Sequence, residues 1–294
     1  MLAAVARGAE AAGKQLVAVS NLSDEPHPEL ARVARETGTP YLRGTREGLA
    51  AIARYARWAV EGFNRKAPSS RPREKEFAAK LLRQSSAPAE HEARAILAGY
   101  GIAGPKEKYV TSADDAAKAA TAIGFPVVLK GVVPGMLHKT EAGLVKLRLT
   151  NAQAVRDAAA AMKAPGYLVQ QMVSSAAELL VGARVDPDFG PLIVVGAGGV
   201  NVELYKDVAV RLAPISEEEA LSAIAATRAS RLLDGWRGAK PADVAAAAKT
   251  VSALSRFIAD FESEVSEVEI NPLAVLEQGS GCLALDAVIV TKGK

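Results

Sequence analysis

Apolar residues recur along this chain at helical spacing in some stretches and at strand spacing in others, and the changes of period mark its elements. Residues 2–12 have helical spacing and stop at Gly13, and 16–19 are a short apolar run. Residues 29–37 are a second helix stopped by Gly38, 40–43 a second strand and 46–63 a long helix. This alternation predicts a β/α layer with about two strands. A doubly wound sheet normally has more. Residues 1–63 therefore read as the tail of a larger α/β domain that starts upstream of Met1, with a small appended α/β lobe as the alternative. Residues 64–76 have no apolar period and are rich in Pro, Ser and charge, which predicts a linker.

Beyond it, from 77 to 294, the spacing predicts helices over 89–100, 113–123 (with Ser112 as N-cap), 152–162, 217–226 and 241–261. Strands are predicted over 125–130, 145–149, 167–173, 178–185, 192–195, 265–270 and 283–290. Strands in adjacent runs with helices between them predict an α+β, mixed-sheet domain.

Composition removes several functions. Hydrophobic residues make up 49% of 294 residues, enough for a sizeable core. The net charge is +3 with dispersed basic residues, and aromatics are scarce, so no nucleic-acid partner is expected. No apolar run approaches the ~20 residues of a membrane span, and Arg7 and Glu10 interrupt the Ala-rich start, which does not read as a signal peptide. The one cysteine, Cys282, excludes an internal disulfide and a cysteine-based zinc cluster. It suits a reducing cytoplasm and reads as a small buried hydrophobe.

Candidate chemistry concentrates at the end of the chain. Val-Glu-Ile-Asn-Pro-Leu-Ala-Val spans 268–275, and Glu269 and Asn271 share one strand face. A hairpin centred between Gln278 and Gly279 sets Asn271 opposite Asp286. Glu269, Asn271 and Asp286 would then offer three oxygen donors on one patch, as Mg²⁺ requires. A polar solvent face is the alternative, weakened by a proline inside the strand. Lys130 closes an apolar run and could reach a nucleotide phosphate or simply end the strand. His138 sits among Lys139, Thr140 and Glu141 in a loop bounded by Gly135 and Gly143, where an imidazole can accept a phosphoryl group. His27 and His91 read as ordinary surface residues. Gln171, Met172 and Val173 close an apolar strand, and Glu178 opens the next one. An adenine edge and ribose hydroxyls could bind there, but a buried strand and a surface acid explain the same residues. Gly196, Gly198 and Gly199 could free backbone N–H groups for an anion.

The order of these segments is more specific than any one of them. Gly-Phe-Pro-Val-Val-Leu-Lys, His-Lys-Thr-Glu-Ala-Gly, Val-Gln-Gln-Met-Val, Asp-Pro-Asp-Phe-Gly-Pro, Gly-Ala-Gly-Gly-Val, Lys-Asp-Val-Ala-Val-Arg-Leu-Ala-Pro and Val-Glu-Ile-Asn-Pro-Leu-Ala-Val follow one another from 124 to 275. The series resembles the ATP-grasp domain of the NDP-forming acyl-CoA synthetases, the ADP-forming acetate–CoA ligase group related to succinyl-CoA synthetase. The resemblance covers about residues 76–290. It implies an ATP-grasp domain over 77–294, preceded over 1–63 by part of a flavodoxin-like ligase-CoA domain.

It further implies a reversible reaction of a small carboxylic acid, CoA and ATP, giving acyl-CoA, ADP and phosphate with Mg²⁺. His138 would be the phosphoryl-carrying histidine of a mobile loop, and Lys130 the lysine on the phosphates. Gln171, Met172 and Val173 would be the adenine hinge, Glu178 the ribose carboxylate, and Gly198, Gly199 and Arg211 phosphate-side contacts. Glu269, Asn271 and Asp286 would hold the metal. CoA would bind mainly outside this chain, on upstream domains or a partner subunit, and an oligomer is expected. Leu144 and Ala177 stand where relatives commonly have glycine. A nucleotide-sensing regulatory module and another ATP-grasp carboxylate ligase are the rival readings.

Overall fold

The computed structural model describes residues 1–21, 25–61, 68–85, 87–133, 142–198, 207–235 and 240–292. The chain divides into two compact units, Met1–Lys66 and Ala67–Lys294.

The first unit contains α1 (Leu2–Ala11), β1 (Ala18–Val19), α2 (Pro28–Glu36), β2 (Tyr41–Leu42) and α3 (Thr45–Glu61). β1 and β2 pair in parallel, with Ala18 opposite Tyr41. Local chemistry sets α2: Pro28 occupies its first turn, and His27 Nδ1 accepts the Glu29 N–H at 3.3 Å. Among the described side chains, Ala34 is the apolar one that this unit buries.

The second unit opens with α4 (Pro72–Leu82), α5 (Glu90–Ala98), β3 (Glu107–Val110), α6 (Ala113–Ile123), β4 (Val127–Val132), β5 (Val145–Leu149), α7 (Ala152–Met162) and β6 (Gly166–Gln171). The four strands form an antiparallel sheet in the order β3-β6-β4-β5. Its core joins Val127, Leu129, Val155, Ala159 and Val169. The chain then enters a second sheet through β7 (Ala177–Asp186), β8 (Gly190–Ala197) and β9 (Val208–Leu212). Next come α8 (Glu217–Ala225), α9 (Ser230–Leu233) and α10 (Val244–Asp260), followed by β10 (Val265–Val275), β11 (Cys282–Ala284) and β12 (Ala287–Thr291). This sheet runs β11-β10-β7-β8-β9, with β12 also on β10, and every pair is antiparallel. Leu254, Phe257 and Ile258 of α10 pack on Leu179, Val181, Ile193, Val268 and Ile270.

Several elements depart from the spacing: it does not predict β9 or α9, and the strand expected over 283–290 divides into β11 and β12. Part of the expected linker is helical, because α4 begins at Pro72. Glu74 Oε2 accepts the Arg71 N–H at 2.9 Å and pairs with Arg256 Nη1 at 2.9 Å, while Ala78 is fully buried. The short strand β3 carries too little apolar pattern to be predicted. β4 starts at Val127 and continues two residues beyond Lys130, so the lysine lies within a buried strand and does not close it. No helix among the described residues is long and apolar enough to cross a membrane.

Candidate functional site

The terminal hairpin sets the geometry. Leu273 faces Ala284 and Val275 faces Cys282, while Ile270 faces Ala287 and Glu269 faces Val288. This is the register of a turn centred between Gln278 and Gly279, and Gly279 and Gly281 there have positive φ. Asn271 and Asp286 come opposite each other, and the Asn271 N–H donates to the Asp286 carbonyl at 3.3 Å. Glu269 and Asn271 are half-buried, whereas Val268 and Ile270 point into the core. The β7 ladder shifts between Ile270 and Leu273, where Pro272 has no N–H to offer. Two carboxylates and an amide, all oxygen donors, fit a hard divalent cation and not a thiol- or imidazole-seeking metal.

Lys130 approaches this patch from the other sheet. Its ammonium lies 3.9 Å from the Asp286 carboxylate, 2.6 Å from Glu90 Oε1 and 2.8 Å from the Leu285 carbonyl. Glu90, on the first turn of α5, also accepts from Arg94 Nη1 at 2.6 Å. Arg94 pairs with Glu107 of β3, and Gln170 of β6 donates to Glu107 at 3.1 Å. The Leu285 carbonyl accepts from Lys130, from Arg94 at 2.8 Å and from Gln170 at 3.1 Å. Burial opposes the charge of Arg94, but the Glu90 and Glu107 carboxylates outweigh it and raise its pKa above the ordinary arginine value.

Glu90, Arg94, Glu107, Gln170 and the Leu285 carbonyl carry no signal of their own in the sequence. A glutamate on a first helical turn reads as a helix start. The available clue was the lysine within an apolar strand, because a buried ammonium needs a partner.

The expected hinge lies where β6 leaves the four-stranded sheet. The Gln171 N–H donates to the Lys106 carbonyl at 2.8 Å and the Met172 N–H to the Pro126 carbonyl at 3.2 Å, while Met172 and Val173 follow the strand. Glu178 lies on β7 opposite Ala274 and accepts from the Ser175 hydroxyl at 3.3 Å. A cleft of about 460 Å³ flanks this crossing, lined by Ser174, Ser175, Ala176, Lys240, Leu276, Glu277 and Ser280. It adjoins the hinge rather than Lys130 or Asp286.

Two expected phosphate contacts have other surroundings. The Gly198 N–H donates to the Glu178 carbonyl at 3.0 Å and so is not directed at a ligand. A Cβ at Gly198 would come within 2.6 Å of the Leu179 carbonyl carbon, so close strand packing is the reason for glycine. Arg211 lies in register with Ile193, Ala183 and Val268, on the helix-covered face, whereas Glu269 shares its face with Gly182, Val194 and Val210. The Arg211 guanidinium donates to the Val210 carbonyl at 2.9 Å. His138 and Gly199 lie outside the described residues.

Outside this site, His91 stacks on Tyr109 with ring centroids 4.6 Å apart. Cys282 is buried, 3.0 Å from the Thr250 hydroxyl, and burial first, then the charge of Asp243, pushes its thiol pKa up.

With the geometry in place, three comparisons bear on it. A family profile described as the ATP-grasp domain matches residues 80–291. The chain is 34% identical to the "Acetate--CoA ligase [ADP-forming] II subunit beta" of Pyrococcus furiosus, over 72% of this chain and 95% of that protein. It is 38% identical to the "4-hydroxybutyrate--CoA ligase [ADP-forming]" of Nitrosopumilus maritimus, over 68% of this chain but only 30% of that longer protein. Among solved structures, a dinucleotide-forming acetyl-coenzyme A synthetase 1 of Ca. Korarchaeum cryptofilum is similar at a TM-score of 0.65 and 34% identity. The match covers 74% of this chain and all of that one, which was solved with coenzyme A and Mg-AMPPCP and has a phosphohistidine segment pointing towards its nucleotide-binding site.

Proposed function

The chain belongs to the ATP-grasp family of ADP-forming acyl-CoA ligases, and from that premise we propose that it supplies the nucleotide-binding, phosphoryl-transferring half of such an enzyme. The overall reaction is carboxylic acid, CoA and ATP to acyl-CoA, ADP and phosphate, in either direction. The observation that carries this reading is the 3.9 Å approach of the Lys130 ammonium to Asp286, itself opposite Asn271. A cation for phosphate oxygens thus stands beside an oxygen-donor set suited to Mg²⁺.

In this reading Glu269, Asn271 and Asp286 hold the metal, which when bound would neutralise charge on the phosphates. Lys130 orients the terminal phosphate and stabilises the charge that develops on it. The backbone of Gln171 to Val173 faces the base, with the Gln171 and Met172 N–H groups already bonded to Lys106 and Pro126 and so not donors to it, and Glu178 accepts from ribose hydroxyls. An imidazole nitrogen of His138 takes the terminal phosphoryl group. A P–N bond forms as the bond to the β-phosphate oxygen breaks, and ADP leaves with that electron pair. Gly198 contributes close strand packing. The acid and CoA bind on other domains or on a partner subunit, consistent with the β-subunit status of the Pyrococcus relative. The likeness of that first unit to a ligase-CoA domain belongs to the same proposal.

Incubation with γ-labelled ATP and Mg²⁺, with the CoA-binding partner domains added, tests this. The expected result is acid-labile, base-stable label on the chain that disappears in His138→Ala. Tight ATP binding without any label overturns the transfer role and leaves a nucleotide-sensing module.

A further inference from the structure

Lys130 lies on a strand whose six residues are all buried, and its side chain is 8% exposed. An ammonium in such surroundings requires an anionic partner. Two carboxylates compete for it: Glu90 at 2.6 Å, with a side chain only 1% exposed, and Asp286 at 3.9 Å, 36% exposed. Glu90 is anchored by Arg94, and Arg94 and Gln170 join Lys130 in donating to the carbonyl of Leu285, the residue before Asp286. Glu90, Arg94, Glu107 and Lys130 together carry balanced charge, so Asp286 is not needed to neutralise the buried group.

Resting on the nucleotide reading above, we infer that Glu90 is a positioning residue: it holds the Lys130 ammonium off Asp286, so that the lysine serves phosphate and the carboxylate serves the metal. Without the Glu90 charge, the nearest carboxylate to the ammonium is Asp286, and Lys130 closes on it as a competitor of the divalent cation. The network on Leu285 fixes the backbone next to Asp286, so the two charges are set at a distance by the same buried group.

The test is calorimetric binding of AMPPCP to the full chain over a series of Mg²⁺ concentrations, well below the melting temperature. Glu90→Gln is expected to raise the Mg²⁺ concentration for half-maximal nucleotide binding about tenfold, the size of one lost charge-assisted interaction. In a Lys130→Met background the same substitution is expected to cause no further rise, because the competitor is gone. A lower melting temperature with an unchanged Mg²⁺ requirement, or an equal rise in both backgrounds, overturns the inference and leaves Glu90 a structural residue. If Glu90→Gln does not fold, Glu90→Asp replaces it: a smaller rise in Mg²⁺ requirement supports the inference, and no rise overturns it. Absence of any Mg²⁺-dependent binding by the unsubstituted chain would instead sink the nucleotide reading itself.

Discussion

At the scale of single residues, Gly198 shows how a motif residue can be required for packing rather than for ligand contact. Its amide serves the Glu178 carbonyl, and its missing side chain lets β7 approach. Gly198→Ala is expected to destabilise the folded chain by about 1–3 kcal/mol, the usual range for overpacking, because the atom encountered is backbone and cannot rotate away. A lower urea midpoint with unchanged slope would report it; an unchanged midpoint would show that the strands yield. The candidate metal residues were legible because a turn and a two-residue period suffice to oppose Asn271 and Asp286. Glu90 was not legible: it lies 40 positions before the lysine it binds, and no local pattern links them.

At the scale of elements, α4 was hidden because its signals are capping and one ion pair rather than an apolar stripe. Burial pushes the Glu74 carboxyl up, but the hydrogen bond from the Arg71 N–H and the Arg256 guanidinium outweigh it and hold its pKa below the usual glutamate value. A carboxylate depressed on folding stabilises the fold above its unfolded value of about 4.3, and that contribution is lost as pH falls through the depressed folded value. Glu74→Gln keeps the capping geometry and removes the charge. It is expected to cost about 0.5–1 kcal/mol near neutrality, as a part-buried ion pair does, and nothing once the acid is protonated. Denaturation curves of both proteins across pH should therefore converge in acid. A difference that persists there would show that the carboxylate charge is not what anchors α4. α6 and α7, by contrast, begin where Ser112 and Asn151 accept the Asp115 and Ala154 N–H groups, at 3.1 Å and 2.9 Å. Those caps are local and can be read directly.

At the scale of the whole molecule, the two units differ in how much core their described residues form. The second contains two clusters, one under each sheet. The first buries Ala34 among its described apolar side chains and exposes Val5, Val19, Leu49 and Tyr55. A chain beginning at Ala67 is expected to unfold cooperatively and keep Mg²⁺-dependent nucleotide binding. Residues 1–66 alone are expected to melt without a cooperative transition, since the core among their described residues is too small to offset chain entropy. Circular dichroism melts of the two pieces test this, and a sharp transition in the short piece would refute it.

The sequence by itself determined the kinds of element, most of their positions, the hairpin register and the family resemblance. Helix and strand periods, caps and turn lengths all act between near neighbours, so a linear reading captures them. Tertiary structure alone decided which charges meet: Leu285 receives Arg94 from 191 positions away and Lys130 from 155. It also decided that Arg211 and Glu269 belong to opposite faces. Alternation along a strand says which residues share a face, but only packing against α10 says which face is the core.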